Sequence, residues 1–164
     1  MNYLNADDFW AEIHPLTELG DTLSYEDSKL ALDVPIVISY ELIDLDKTDY
    51  HFKQEFTSKD TQRYFEVLKD ISCKSINDLI EESEHSLHFH RSAAKGNLKI
   101  QLEKLSPGCV TFDSEPMIYH FALYTDVNKA SRVNGVRSPR IYFMLGKNGM
   151  IFPLFFDPYH EINP

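Results

Sequence analysis

Side chains that could carry proton-transfer chemistry occur at two separate places in the sequence. The first is the stretch EHSLHFHR, in which an extended strand would project His88 and His90 from one face. Because imidazoles change protonation near neutral pH, such a pair can act as acid and base, or it can bind a metal. A polar face turned to solvent is the alternative interpretation, since this spacing also occurs in ordinary strands.

The second place is the C-terminal end of the chain. Arg140 opens the apolar run RIYFMLG, and Asp157 follows the run MIFPLFF and precedes Pro158 and His160. Asp-Pro is a common way to end a strand, so this cluster can be explained by strand termination alone. If the two places meet in the fold, they form a site, and its candidate catalytic residues are His88, His90, Arg140, Asp157 and His160.

The sequence contains no motif for a familiar cofactor. Phosphate-binding glycine loops, Cys-x-x-Cys pairs and serine or cysteine nucleophile motifs are all missing from it. We therefore predict chemistry without a cofactor and without a metal. A metal site remains the alternative, with His88 and His90 joined by a third ligand such as Asp157 or His160.

Two segments in the middle of the chain have the periodicity of amphipathic helices. In residues 58–72, Tyr64, Phe65, Leu68 and Ile71 recur at three- and four-residue spacing, and Ser58 or Asp60 can cap the helix. A second helix is expected to start at Ser75, where Ser75 and Asp78 resemble a capping box, with Ile76, Leu79 and Ile80 turned inward.

Strands are expected on both sides of these helices. Residues 34–46 and 49–56 are typical of a β-hairpin, and residues 140–146 and 150–156 of a second hairpin around Asn-Gly, with Pro153 at an edge or a bulge. Residues 86–91 and 117–125 favour strands, and 96–105 fits a helix or a strand. We predict an α+β fold with an antiparallel or mixed sheet and two to three helices packed on one face.

The length of 164 residues suits a single domain, 1–164, and its charge is unevenly distributed. Of the net charge of −10, all lies in residues 1–50, which hold 12 acids against two lysines. We divide the chain into an acidic N-terminal segment, 1–33, and an α+β body, 34–164. The acidic segment disfavours non-specific contact with nucleic acid, because phosphates would be repelled.

The loop 128–139, with the arginine that follows it, is a local concentration of positive charge. Its cations could pair with the acidic first third of the chain, or they could bind an anion such as a phosphate. They are Lys129, Arg132, Arg137 and Arg140.

The sequence also indicates where the protein works. It starts without the basic and apolar regions of a signal peptide, no apolar run approaches the ~20 residues that cross a bilayer, and its two cysteines form no spaced pair. We expect a cytoplasmic protein without a membrane partner.

The segment 50–164 resembles a family of small, largely uncharacterised bacterial proteins linked to phage and mobile elements. These proteins share a helix with the pattern Y-F-x-x-L-K-x-h-S, where h is hydrophobic, a strand ending F-H, and an Arg-led hairpin ending D-P-x-H-x-h-x-P. The matching residues are Tyr64, Phe65, Leu68, Lys69, Ser72, Phe89, His90, Arg140, Asp157, Pro158, His160 and Pro164. The hairpin is also similar, more loosely, to the terminal strands of RelE-type toxins, which carry RNA-cleaving residues.

This resemblance implies a genetic-conflict protein, toxin-like or associated with phage defence. If it is an enzyme, metal-independent cleavage of RNA is the expected reaction, with a histidine as acid or base and Arg140 facing the phosphorane. The competing hypothesis is a non-catalytic module that docks a protein partner, or a second copy in a homodimer, through its acidic front and an edge strand. An acidic inhibitor that occupies a nucleic-acid site on another protein is the third hypothesis.

Overall fold

The computed structural model describes residues 24–82, 87–110, 115–124 and 130–164. Within these residues the chain forms four helices and a five-stranded mixed sheet, which confirms the predicted α+β class. The helices are α1 (Tyr25–Asp33), α2 (Ser58–Ile71), α3 (Ile76–Glu81) and α4 (Gly96–Leu105). The strands are β1 (Val37–Ile38), β2 (His90–Ser92), β3 (Ile118–Ala122), β4 (Arg140–Leu145) and β5 (Met150–Asp157). The helix expected from ADDFWAEI lies outside the described residues.

The sheet has the strand order β1-β5-β4-β3-β2. The short β1 runs parallel to β5, whereas β2, β3, β4 and β5 form a continuous antiparallel arrangement. A bulge interrupts the pairing of β4 with β5, because Tyr142 is opposite Phe155 while Phe143 is opposite Pro153. The expectation of a bulge near Pro153 is therefore confirmed.

The terminal hairpin forms as predicted, and Asn148 in its turn has a positive φ of 54°. This left-handed conformation is one that asparagine tolerates better than most residues. Gly149 next to it has a φ of 71°, and a Cβ there would lie 2.7 Å from Val34 Cγ2. Both the backbone angle and the close approach of the chain before β1 thus require glycine at this position.

The capping residues in the sequence predict the N-terminal ends of α2 and α3 close to where the structure has them. A capping box begins α3, with Ser75 as N-cap and Asp78 closing it, as expected. The N-cap of α2 is Thr57 rather than Ser58 or Asp60, although Asp60 supplies the reciprocal hydrogen bond. Two apolar residues that we expected inside are exposed, Phe65 by 58% and Ile80 by 43%.

The predicted hairpin of residues 34–46 and 49–56 is wrong. Only Val37–Ile38 forms a strand, and it pairs with β5 instead of with residues 49–56. The reason is Asp44, whose buried carboxylate accepts hydrogen bonds from the backbone N–H groups of Asp46, Lys47 and Thr48. This local capping turns the chain and removes the N–H groups that a ladder would need.

Two hydrophobic clusters cover the two sheet faces. The first contains buried residues of α1, α2 and α3, with Tyr119, Phe143 and their neighbours from the sheet. The second contains Leu98 and Leu102 of α4, so the ambiguous segment 96–105 is a helix, and it covers the opposite face. Three helices thus contribute to one face, as expected, and a fourth packs on the other. Because α1 supplies the fully buried Ala31, the end of the acidic segment 1–33 packs with the body. No helix among the described residues is long and apolar enough to cross a bilayer.

Candidate functional site

The pairing of neighbouring strands places a row of aromatic and imidazole rings across one face of the sheet. His90 of β2 is opposite His120 of β3, which is opposite Tyr142 of β4. The ring centres are 5.7 Å apart for His90 and His120, and 5.0 Å apart for His120 and Tyr142. His88 lies 6.4 Å from His90, and His160 lies 6.1 Å from His120. The structure thus brings the two separate parts of the predicted site together.

The strand that carries the first histidines is shorter than expected. It starts at His90, because His88 has a φ of 46°, which is outside the extended region. Leu87 and Phe89 are buried in the first cluster, while both histidines are exposed to solvent. The expected division of this segment into an apolar and a polar side is therefore found, although the backbone at His88 is turned.

His120 is a member of this row that the sequence analysis missed. It is only 6% exposed, and its Nδ1 lies 2.7 Å from the Ser92 hydroxyl. Burial, with the positive charge of Arg140 and the neighbouring histidines, lowers the pKa of His120 to about 3. His120 is therefore neutral at pH 7. The signal for it was a polar residue inside the apolar run MIYHFALYT, since a buried imidazole needs a partner.

His160 reaches the row from a turn that Asp157 holds. The carboxylate of Asp157 accepts hydrogen bonds from the backbone N–H groups of Tyr159 at 3.2 Å and Ile162 at 2.7 Å. This turn gives His160 a φ of 56° and leaves it half-buried. Burial, and then the charge of Arg140, lower the pKa of His160 below its ordinary value.

Asp157 itself is fully buried, with no exposed surface. Burial raises the pKa of its carboxyl group, and the backbone N–H donors of the turn act in the opposite direction. Its visible role is to position His160, because its oxygens accept from the backbone. A direct catalytic role for Asp157 stays a prediction.

Arg140 is opposite Asp157 in the sheet, at the end of β4. Its Nη1 donates to the backbone oxygens of Ser138 and Pro139 and to the Ser138 hydroxyl, at 3.1, 3.3 and 2.9 Å. Its Nε is buried and has no hydrogen-bond partner in the part of the chain that the structure describes. Burial lowers the pKa of this guanidinium, whereas Tyr142 and Asp157 raise it. Arg140 therefore presents charge next to the histidines from a partly buried position.

The other arginines of the basic loop are neutralised by carboxylates. Arg132 forms ion pairs with Glu55 at 2.9 Å and Glu161 at 3.0 Å, and Arg137 pairs with the buried Asp60 at 2.8 Å. Charge pairing is thus correct for these two, but none of their partners belongs to residues 1–50. Among the described residues, the ion pairs leave Arg140 without a carboxylate partner, and Lys129 lies outside them.

Tyr142 is a second residue that the sequence analysis missed. It is fully buried, and its hydroxyl donates to no described group. Burial raises the pKa of this phenol far above its usual range, Asp157 adds to that effect, and the backbone N–H of Asn163 opposes it. The hydroxyl is therefore a neutral donor beside Arg140 and His120.

An open groove of about 430 Å³ lies beside the turn that carries His160. Arg132 lines it and stacks on Tyr159, with the guanidinium carbon 4.3 Å from the ring centre. Acidic and polar side chains dominate its lining, which consists of Asp49, Tyr50, His51, Gln54, Glu55, Arg132 and Glu161. The acidic lining therefore disfavours a phosphate in this groove.

Across the described ranges, no group of three or more His, Cys, Asp or Glu side chains is arranged to hold a metal ion. The histidine rings are neighbours, but they do not converge on one point. What the row can supply is proton donors and acceptors next to a fixed cation.

Comparisons with known proteins returned nothing on which an assignment could rest. No family model matches the chain, and neither the search of curated proteins nor the search of solved structures found a match.

Proposed function

We propose that the protein cleaves RNA without a metal, as a toxin-like or defence-associated protein of genetic conflict. The observation that carries this proposal is the row of neighbouring rings formed by His90, His120 and His160 beside Arg140, an arginine without an ion pair among the described residues. Acid, base and an anion-stabilising cation are the groups that phosphodiester cleavage needs. The genetic-conflict setting rests on the sequence resemblance alone.

The reaction gives each of three groups one role. His160, which is neutral at pH 7, accepts the proton of the ribose 2′-OH as the oxygen attacks phosphorus. His90, exposed at the strand edge, is the general acid that donates a proton to the departing 5′-oxygen. Arg140 stabilises the charge that develops on the phosphorane oxygens. The products are a 2′,3′-cyclic phosphate and a 5′-hydroxyl end.

His120 and His88 have supporting roles in this proposal. His120 stays neutral and hydrogen-bonded to Ser92, so it separates His90 from His160 without competing for protons. His88 lies at the solvent side of His90, where it can contact the substrate backbone.

The test is an RNA cleavage assay with the purified protein in excess EDTA. We expect cleavage with cyclic-phosphate ends, and we expect His160→Ala and Arg140→Ala each to slow it by about 100-fold or more. His51→Ala is the matched control, because His51 lies outside the row, and it should cleave at the wild-type rate. Products with 5′-phosphate ends, or equal cleavage of DNA, would contradict the mechanism, since DNA has no 2′-OH.

The binding-module alternative also has an observation in its favour. Helix α1 exposes Tyr25 by 81% and Leu30 by 54%, together with the acidic Glu26 and Asp33. An apolar surface with acidic edges suits a basic protein partner or a second copy of the chain. If RNA is not cleaved, light scattering on the wild type and on Tyr25→Ser with Leu30→Ser tests for a homodimer through α1.

A further inference from the structure

We infer that Arg140 and Tyr142 form a subsite for one tetrahedral oxyanion, with the Nε–H of Arg140 and the O–H of Tyr142 as its inner donors. The inference rests on the proposed function for the identity of that anion, a phosphodiester of RNA. It adds a residue, Tyr142, that neither the motif resemblance nor the proton-transfer mechanism uses.

Two buried donors on this face lack an acceptor among the described residues. Arg140 Nε and Tyr142 Oη are both buried, and neither donates a hydrogen bond to a described residue, although the backbone N–H of Asn163 approaches the Tyr142 oxygen. Residues two apart on a strand point to the same face, so both donors lie on the face that carries the histidines. Buried donors are rarely left unpaired in native proteins, and water or a ligand usually satisfies those that protein atoms do not.

The neighbours of these two donors are already engaged. The carboxylate of Asp157, opposite Arg140, accepts from the backbone of its own turn, with Oδ1 on Tyr159 and Oδ2 on Ile162. The Nδ1 of His120, opposite Tyr142, is bonded to Ser92. The two donors therefore lie beside Asp157 Oδ1 and Oδ2 and His120 Nδ1, which all have other partners.

The chemistry of the donor set favours an anion as the ligand. A guanidinium and a neutral phenol offer hydrogens and no strong acceptor, so they favour an oxyanion over a cation or an amine. Tyr142 keeps its proton at all physiological pH values, because burial raises its pKa. Both inner donor atoms are buried, so an anion would reach them from the side of the partly exposed Arg140 and the exposed His90.

The test uses inorganic phosphate as the probe, added against chloride at equal ionic strength. We expect phosphate to raise the wild-type Tm and to shift the backbone NMR signals of residues 140–142. Tyr142→Phe removes only the hydroxyl, and we expect it to weaken phosphate binding by about tenfold. The matched control is Tyr119→Phe, which removes a buried phenol from the opposite face and should bind phosphate like the wild type.

Arg140→Lys is the second variant, because it keeps the positive charge and removes the Nε–H. We expect it to weaken phosphate binding, whereas Arg91→Lys, at an exposed arginine of the edge strand, should not. A 2′-deoxy oligonucleotide, which cannot be cleaved by 2′-OH attack, should displace the phosphate if the subsite takes a nucleic-acid backbone. Failure to displace it would assign the subsite to free phosphate.

The inference is overturned if phosphate acts no more strongly than chloride, or if Tyr142→Phe and Arg140→Lys bind phosphate like their controls. The donors would then hold water only. That outcome is distinct from a failure of the proposed function, in which phosphate binds and depends on Tyr142 but RNA stays intact.

Discussion

The two faces of the same four antiparallel strands differ in chemistry. One face carries buried aromatic and aliphatic side chains such as Phe121 and Phe143, and apolar residues of three helices complete it. The other face is apolar near α4 but carries His120 and Arg140 at its open end. Because side chains alternate along a strand, the same strands carry a rigid core on one face and titratable groups on the other, a few ångströms apart. The core face can therefore fix the geometry of the polar face without contributing chemistry to it.

Truncation on the core face should have the largest effect on stability. Phe143 is fully buried between Phe89, Tyr119 and Phe121. We expect Phe143→Ala to lower the free energy of unfolding by about 3–5 kcal/mol, because it leaves a cavity that the sheet cannot close. Urea unfolding measures the loss. The exposed Phe65→Ala should change stability by less than about 0.5 kcal/mol, and equal losses in both variants would show that the core face is not the main source of stability.

The polar face should make stability depend on pH. In the folded protein His120 resists protonation down to about pH 3, whereas in the unfolded chain it takes up a proton near pH 6.5. The unfolded state therefore binds more protons below pH 6.5, and stability should fall as pH decreases, by up to ~1.4 kcal/mol per pH unit. His160, with its lowered pKa, acts in the same direction, and Asp157, with its raised pKa, opposes it.

Urea midpoints at pH 7, 6 and 5 test this dependence. His120→Gln should remove the part of the slope that comes from one proton, while Phe65→Ala, an exposed site without a titratable group, should keep the wild-type slope. If His120→Gln unfolds with the same pH dependence as the wild type, the buried imidazole is not what couples this face to pH.

A smaller loss of stability is expected for a change in the turn that Asp157 holds and that carries His160. Asp157→Asn replaces one accepting oxygen by an amide that cannot accept, so we expect a loss of about 1–2 kcal/mol. We also expect the pKa of His160 to move towards its ordinary value, which NMR titration measures. Asp44→Asn is the matched control, because Asp44 is a buried aspartate that holds a different turn, and it should lower stability without changing His160.

Local signals in the sequence were sufficient for the elements that local chemistry determines. Helix α2, the capping box of α3 and the terminal hairpin follow from periodicity and cap residues, and they were predicted correctly. The hairpin of residues 34–56 was not, since the carboxylate of Asp44 competes with the ladder for backbone N–H groups. Strand propensity does not register that competition.

The candidate site was predictable only in its exposed parts. His88, His90 and His160 are polar residues at strand ends or turns, where a site is expected. His120 and Tyr142 lie within apolar runs, and their importance depends on strand pairing between segments more than 20 residues apart. Without that pairing, both are indistinguishable from ordinary residues of a strand.

The bulge in β5 has a consequence for how this chain can tolerate changes in length. Phe152 and Asp157 are five positions apart, so in a regular strand their side chains would lie on opposite faces of the sheet. The bulge adds one residue, Leu154, and both side chains therefore lie on the face that carries α4 and the imidazoles. Deleting Leu154 would make the side chains of one half of the strand change faces. Either Asp157 would point into the aromatic cluster on the opposite face, or the residues before the bulge would leave the positions that they now occupy. The C-terminal turn can therefore form at its present place only if the number of residues between Pro153 and Asp157 is kept.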